Sequence, residues 1–234
     1  MGGRYLGFFS GPSGLSVDVV IVGSVLVMVQ SQILPIDLTM MERCIALSSS
    51  AAAAGELPFA ALICRGGEII AEATNRVVRD ADVTRHAELL ALSQAQKMLG
   101  RKSLAGCTIY SNVEPCPMCA FPIRETGIAR VVFAISSPLM GGLSKWNVLR
   151  DSEISAVMPE AFGDVPEVLV GVLAREAERV WWRWNPIAWS VIKYRGCFHH
   201  GPATESRIHM HAAAPPRSFW RSLFALHRSP AKPL

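Results

Sequence analysis

Two short motifs about thirty residues apart constrain this chain more than anything else in it: His86-Ala87-Glu88 and Pro115-Cys116-Pro117-Met118-Cys119. One imidazole and two thiolates are the donor types of a zinc site, and three protein ligands leave a fourth position for water, as a catalytic site requires. Any fold this chain adopts must therefore carry residue 86 to residues 116 and 119. Proline suits the first turn of a helix, where its missing N–H costs nothing, so Pro117 is expected to open a helix with Cys119 in its first turn. Free backbone N–H groups and the helix dipole stabilise thiolate charge there. His86 opens a second helix, predicted over residues 86–99 and closed by Gly100. Glu88 lies two residues beyond His86 and so points to a different azimuth, as a neighbour of the metal rather than a ligand.

The segments around these motifs read as alternating helices and strands. A helix capped by Asp37 precedes two strand-like runs, 58–64 and 68–74, joined by Arg65-Gly66-Gly67, whose glycines supply the positive φ of a tight turn. Residues 108–112 form a strand, the helix from Pro117 ends near Gly127, and 130–135 is an apolar β-branched strand. A Gly- and Ser-containing loop, 136–147, then precedes a last strand at 167–170. A helix at 172–184 is stopped by Asn185-Pro186. This order predicts an α/β protein: a three-layer α/β/α sandwich around a central five-stranded mixed sheet that begins with an antiparallel hairpin.

The ends read differently from the middle. Residues 1–34 are expected to be a poorly ordered extension, 35–190 the folded domain, and 191–234 a disordered tail of basic, His- and Pro-containing composition. The apolar run at 19–29 is short for a membrane span, so no membrane partner is expected and the location is read as cytoplasmic. The formal net charge of +4 sits from Gly196 onward, where Arg207, Arg217, Arg221, Arg228 and Lys232 face only Glu205. A neutral remainder weakens the case for a nucleic-acid footprint. Cys44, Cys64, Cys107 and Cys197 are scattered and read as small apolar residues rather than a disulfide framework. Apart from His86, every histidine lies at residue 199 or beyond. A zinc site that merely staples the fold needs four protein ligands, so Cys64, Cys107 or an acid would have to complete it.

The H-x-E and P-C-x-x-C pattern is the signature of zinc deaminases. With Asn75, Thr84-Arg85-His86-Ala87-Glu88, Val113-Glu114-Pro115-Cys116-Pro117-Met118-Cys119-Ala120, Arg130-Val131-Val132-Phe133 and Gly171-Val172-Leu173-Ala174, the chain resembles the cytidine and deoxycytidylate deaminase superfamily over residues 37–184. Within it, the resemblance is to the branch of tRNA adenosine deaminases and bacterial guanine deaminases. It implies one Zn2+ per chain on His86, Cys116 and Cys119, Glu88 as proton shuttle, and a homodimer. It also implies that Asn75 hydrogen-bonds the base, that the backbone of Ala61 and Ala87 meets its edge, and that Phe59 lines the pocket.

The chain departs from related sequences at Ala60, where they carry glycine, and at 134–143, which lacks the lysine-containing loop of tRNA-editing members. Val180-Trp181-Trp182-Arg183-Trp184 replaces their basic C-terminal helix, and beside Val180 and Leu173 it reads as core or interface rather than a base-stacking platform. The expected activity is hydrolytic deamination of a free nucleobase or nucleoside, with a purine such as guanine as the best single choice. The second reading is adenosine-to-inosine deamination of tRNA, and the third a retired deaminase that serves as a partner subunit, which the intact Glu88 opposes.

Overall fold

The computed structural model describes residues 32–199 throughout and, before them, the backbone of three strands. These are β1 (Arg4–Ser10), β2 (Ser16–Val22) and β3 (Val25–Gln30), antiparallel neighbours in a sheet of their own. They fall in the segment expected to be a poorly ordered extension, and the apolar run read there lies in β2 and β3. Residues 200–234 are outside the described part, and most of the expected tail, with the apolar stretch at 219–226, lies there.

The main domain runs α1 (Pro35–Ala53), β4 (Ala60–Arg65), β5 (Glu68–Thr74), α2 (Ala87–Leu99), β6 (Thr108–Val113) and α3 (Pro117–Glu125). It continues through β7 (Arg130–Ile135), α4 (Ser152–Val157), β8 (Glu167–Val170), α5 (Ala174–Trp184) and α6 (Pro186–Tyr194). The five strands lie in the order β5-β4-β6-β7-β8; β4 is antiparallel to both neighbours, and β6, β7 and β8 are parallel. The expected mixed sheet is present, hairpin first.

Alternation along the strands assigns the two faces. Ala61, Ile63, Ile109, Val131 and Phe133 pack against Ala87, Ala91 and Ala95 of α2 and Ala120 and Ile123 of α3. Ala60, Leu62, Tyr110, Val132 and Ala134 pack on the other face against Met41 and Cys44 of α1, Ala177 and Trp181 of α5 and Trp189 of α6. The departure at Ala60 is thus absorbed by the α1 side of the core. Helices on both faces make β6 and β7 almost continuously buried, which is why they read as apolar runs rather than alternating ones. Asp37 ties the layers together: fully buried, it accepts from the Leu34 N–H (2.7 Å), the Tyr110 hydroxyl (2.9 Å) and the Arg130 guanidinium.

The expected boundary at residue 190 falls inside α6. Asn185-Pro186, read as a stop, is also a start: the Asn185 side chain accepts from the Ala188 N–H and Pro186 occupies the first helical turn. Beyond α6 the chain returns to the sheet, where Ser136 and His199 exchange both backbone hydrogen bonds (3.0 and 2.9 Å) and the Ser137 hydroxyl donates to the Cys197 carbonyl (3.1 Å). Among the described residues no helix is long and apolar enough to cross a membrane.

Candidate active site

Because β4 is antiparallel to both β5 and β6, the ends of β5 and β6 and the start of β4 share one edge of the sheet. Phe59 precedes β4, Asn75 follows β5, and Glu114 follows β6, so the topology alone gathers them. The helix starts follow from the same edge. His86 is the residue before α2 and Cys116 the residue before α3, both with extended backbone. Pro117 holds the first position of α3, and the Cys116 carbonyl accepts from the N–H groups of Cys119 and Ala120 (3.0 and 2.8 Å). Two helix N-termini therefore converge on the three donors, as the spacing predicted.

The donor set fits zinc. His86 Nδ1 lies 3.6 Å from Cys116 Sγ and 3.5 Å from Cys119 Sγ, and the two sulfurs are 3.7 Å apart. A tetrahedral zinc with ordinary Zn–S and Zn–N bonds separates its sulfurs by about 3.8 Å and each sulfur from nitrogen by about 3.6 Å. Among the described residues no fourth His, Cys, Asp or Glu joins the cluster, and Cys64 and Cys107 are buried in the core instead. A three-ligand centre keeps the open position of a catalytic site rather than the closed shell of a structural one.

Charge within the cluster is strongly polarised. The hydrogen bond with the Cys119 thiol, and then that with His86, draws Cys116 down to about 4. Cys119 moves far upward, through its bond to Cys116 and through burial. A bound divalent cation favours both thiolates. His86 is raised by its bond with Cys116. Glu88 is raised by burial, with the Cys116 charge adding to it. Its nearest hydroxyl is that of Ser111, at 3.4 Å from Oε1.

A cavity of about 150 Å³ opens beside this cluster. Phe59, Asn75, His86, Glu88 and Cys116, named from the sequence, all line it, together with Val113, Glu114, Ser137, Met140 and Phe198. Ala61 and Ala87 do not. Ala61 lies in the middle of the sheet, paired with both Ala73 and Ser111, and Ala87 is packed in the core under α2.

Three contributors were not legible as site residues. Glu114 is buried, and its carboxylate accepts from the N–H groups of Ser137 (2.6 Å), Leu143 (2.9 Å) and Ser144 (2.6 Å) and from the Ser144 hydroxyl (2.6 Å). It fastens the loop that brings Ser137 and Met140 to the cavity; its place directly before Pro115-Cys116 was the available signal. Glu56 is buried and accepts from Asn75 Nδ2 (3.0 Å) and the N–H groups of Val78 (3.1 Å) and Arg79 (2.6 Å). Phe198, just beyond α6, packs against Phe59, Trp181 and Trp189, with ring centroids 6.3, 5.2 and 5.8 Å apart. No local pattern marks it.

Fold and site together define a zinc-dependent deaminase scaffold, and a family model for the cytidine and deoxycytidylate deaminase zinc-binding region matches residues 35–135. The chain belongs to that family. It is 35% identical over 136 residues to the tRNA-specific adenosine deaminase of Bacillus subtilis, covering 58% of this chain and 80% of that protein. It is also 39% identical over 149 residues to the tRNA(Ile)-lysidine synthase of Deinococcus deserti, covering 62% of this chain but only 26% of that much longer protein. Among solved structures, guanine deaminase from Nitrosomonas europaea is similar at 26% identity and a TM-score of 0.52, over 66% of this chain and 87% of that one.

Proposed function

We propose that this site hydrolyses the exocyclic amine from a free nucleobase or nucleoside, with a purine such as guanine as the preferred substrate. The observation that carries the reading is the cavity itself: about 150 Å³ beside three metal donors and Glu88, walled by Phe59, Met140 and Phe198. A cavity near this size holds one small ring system, and it is below the usual range for larger ligands.

The chain's residues divide the work. His86, Cys116 and Cys119 would hold zinc, which supplies a water acidified to near neutrality. Glu88 is placed to move two protons, one from the attacking water to the ring nitrogen next to the amino-bearing carbon and one from the hydroxyl so added to the departing amine. Water is consumed, the carbon gains a carbonyl oxygen, and ammonia leaves. Burial raises Glu88, which makes it a better proton acceptor than an exposed carboxylate and so suits it to a shuttle. The apolar walls exclude bulk water, and Asn75 supplies a polar contact for the ring edge.

The second reading, adenosine deamination in tRNA, is favoured by the 35% identity to the Bacillus subtilis enzyme. It requires phosphate contacts, for which residues 1–195, neutral as a whole, offer little net charge.

Ammonia release from guanine, adenine, cytosine, their nucleosides and a tRNA anticodon stem-loop separates the readings, with Glu88→Ala as the blank. Turnover of a base or nucleoside with little dependence on salt supports the proposal. Turnover of the stem-loop alone, falling steeply with salt, moves the function to RNA. Glu88→Ala is expected to keep zinc and lose turnover by about 10²- to 10⁴-fold.

A further inference from the structure

Glu56 touches no part of the metal cluster and does not line the cavity, yet it is buried and its carboxylate is fully engaged. Oε1 accepts from the Arg79 N–H, and Oε2 accepts from both the Val78 N–H and Asn75 Nδ2. Backbone N–H groups can only donate, so the carboxylate acts as an acceptor through both oxygens. The Asn75 group that faces it must then be the NH2. An asparagine amide is ambiguous by itself; beside a carboxylate held in this way it is not. With its nitrogen committed, and with no protein donor to Oδ1 among the described residues, Asn75 meets the cavity through its carbonyl oxygen.

We propose that Glu56 is a positioning residue that fixes the hydrogen-bond polarity of the pocket: by holding the Asn75 NH2 it turns Oδ1 toward the substrate, which must present a donor there. The inference rests on the proposed deaminase function and narrows its substrate class. The donor is a ring N–H of a free base or a hydroxyl of an attached sugar; a ring edge that carries only acceptor nitrogens leaves Oδ1 unpaired. An unpaired buried acceptor costs enough to discriminate by about tenfold or more.

The test uses the zinc-loaded full chain and ammonia release from guanine, 1-methylguanine, 9-methylguanine, guanosine and its 2′- and 3′-deoxy forms, with the same series on cytosine. The wild type should lose at least about tenfold in kcat/KM when one particular donor is removed. Loss on a ring methylation identifies a base N–H; loss on a sugar deoxygenation identifies a hydroxyl.

In Glu56→Gln one oxygen becomes an NH2 that must face the N–H of Val78 or of Arg79, so the side chain shifts and its hold on the Asn75 NH2 loosens. KM for the donor-bearing substrate should rise about tenfold with zinc still bound, while KM for the analogue that lacks the donor changes little and the melting temperature falls by a few degrees as a buried hydrogen bond is lost. An unchanged KM in Glu56→Gln, or an equal rise on every substrate whether or not it carries the donor, would overturn the positioning role.

If the wild type turns over none of the series, the free-base or nucleoside reading fails, and the orientation is still decided by NMR. The Asn75 side-chain N–H pair, assigned by its loss in Asn75→Asp, should exchange slowly in the wild type and fast in Glu56→Gln. Equal exchange would overturn the inference.

Discussion

The two halves of the cavity are built in opposite ways. The metal half comes from two short stretches, residues 86–88 and 114–119, each at the start of a helix, so that local backbone rules place every donor. The aromatic half comes from Phe59, Val113, Met140 and Phe198, four side chains from separate parts of the chain that meet only when the sheet, the loop after β7 and the segment after α6 are all in place. The first half is specified by spacing and the second by packing. Damage to the metal half should therefore remove chemistry for every substrate, and damage to the aromatic half should change which substrates are held.

The largest effect expected from that contrast is on the metal. Cys116→Ala removes one of three donors and the N-terminal charge partner of Cys119 and His86, so zinc content should fall to background with turnover. Chelation of the wild-type protein should have the same result and be reversed by added Zn2+. A Cys116→Ala protein that keeps stoichiometric zinc would break the comparison at its firmer end, since another donor would then have to complete the site.

Next in size is the aromatic wall. Phe198 is almost fully buried and touches Phe59, Trp181 and Trp189, so Phe198→Ala removes packing worth about 3 kcal/mol as well as one wall of the pocket. Its zinc content should match the wild type. KM for a free base should rise about tenfold to a hundredfold, since burying a phenylalanine side chain is worth about 1.5–3 kcal/mol. The ratio of nucleoside to base turnover should rise because the pocket is wider. Steady-state kinetics on paired bases and nucleosides read this directly; an unchanged ratio with a lowered kcat on both would place Phe198 in the core alone.

The same contrast explains what could be read before the structure. His86, Glu88, Cys116 and Cys119 were legible because helix-start rules and metal chemistry act within a few residues. The five strands and their mixed sheet were legible because the strands are short, apolar and separated by turn or helix signals, and β7 and β8 fall on the expected residues; the order of the strands in the sheet was not read. Asn75 and Phe59 reach the cavity as the family resemblance implied. Ala61 and Ala87, expected to meet a base through their backbone, have their side chains buried in a central strand and at the foot of α2. Asn185-Pro186 was legible as a break but not as the cap of α6, since the same two residues end one helix and begin another. Phe198 lies in a stretch of Gly, His and Pro whose composition signals disorder, and it is placed by its contacts with α5, α6 and Phe59 and by the pairing of Cys197 and His199 with the loop after β7. Glu56 carries no pattern of its own and Glu114 is marked only by its place before Pro115-Cys116; each is defined by the backbone N–H groups it collects.

The smallest expected effect is at Gly141, where the two halves join. A Cβ built there would stand 1.9 Å from Glu114 Oε1 and 2.2 Å from its carboxyl carbon, too close for any rotation to relieve while Glu114 keeps its four hydrogen bonds. Gly141→Ala must therefore push the loop at 137–144 outward or turn Glu114 away from it, a strain of about 1–3 kcal/mol. Zinc should stay bound, because Cys116 is held by Pro117 and the first turn of α3 rather than by the loop. Met140 and Ser137 should move away from the cavity, raising KM several-fold with a smaller change in kcat, and limited proteolysis should cut the loop faster than in the wild type. Loss of zinc in Gly141→Ala would mean that Glu114 couples the loop to the metal ligands, and the two halves would then be one cooperative unit rather than two.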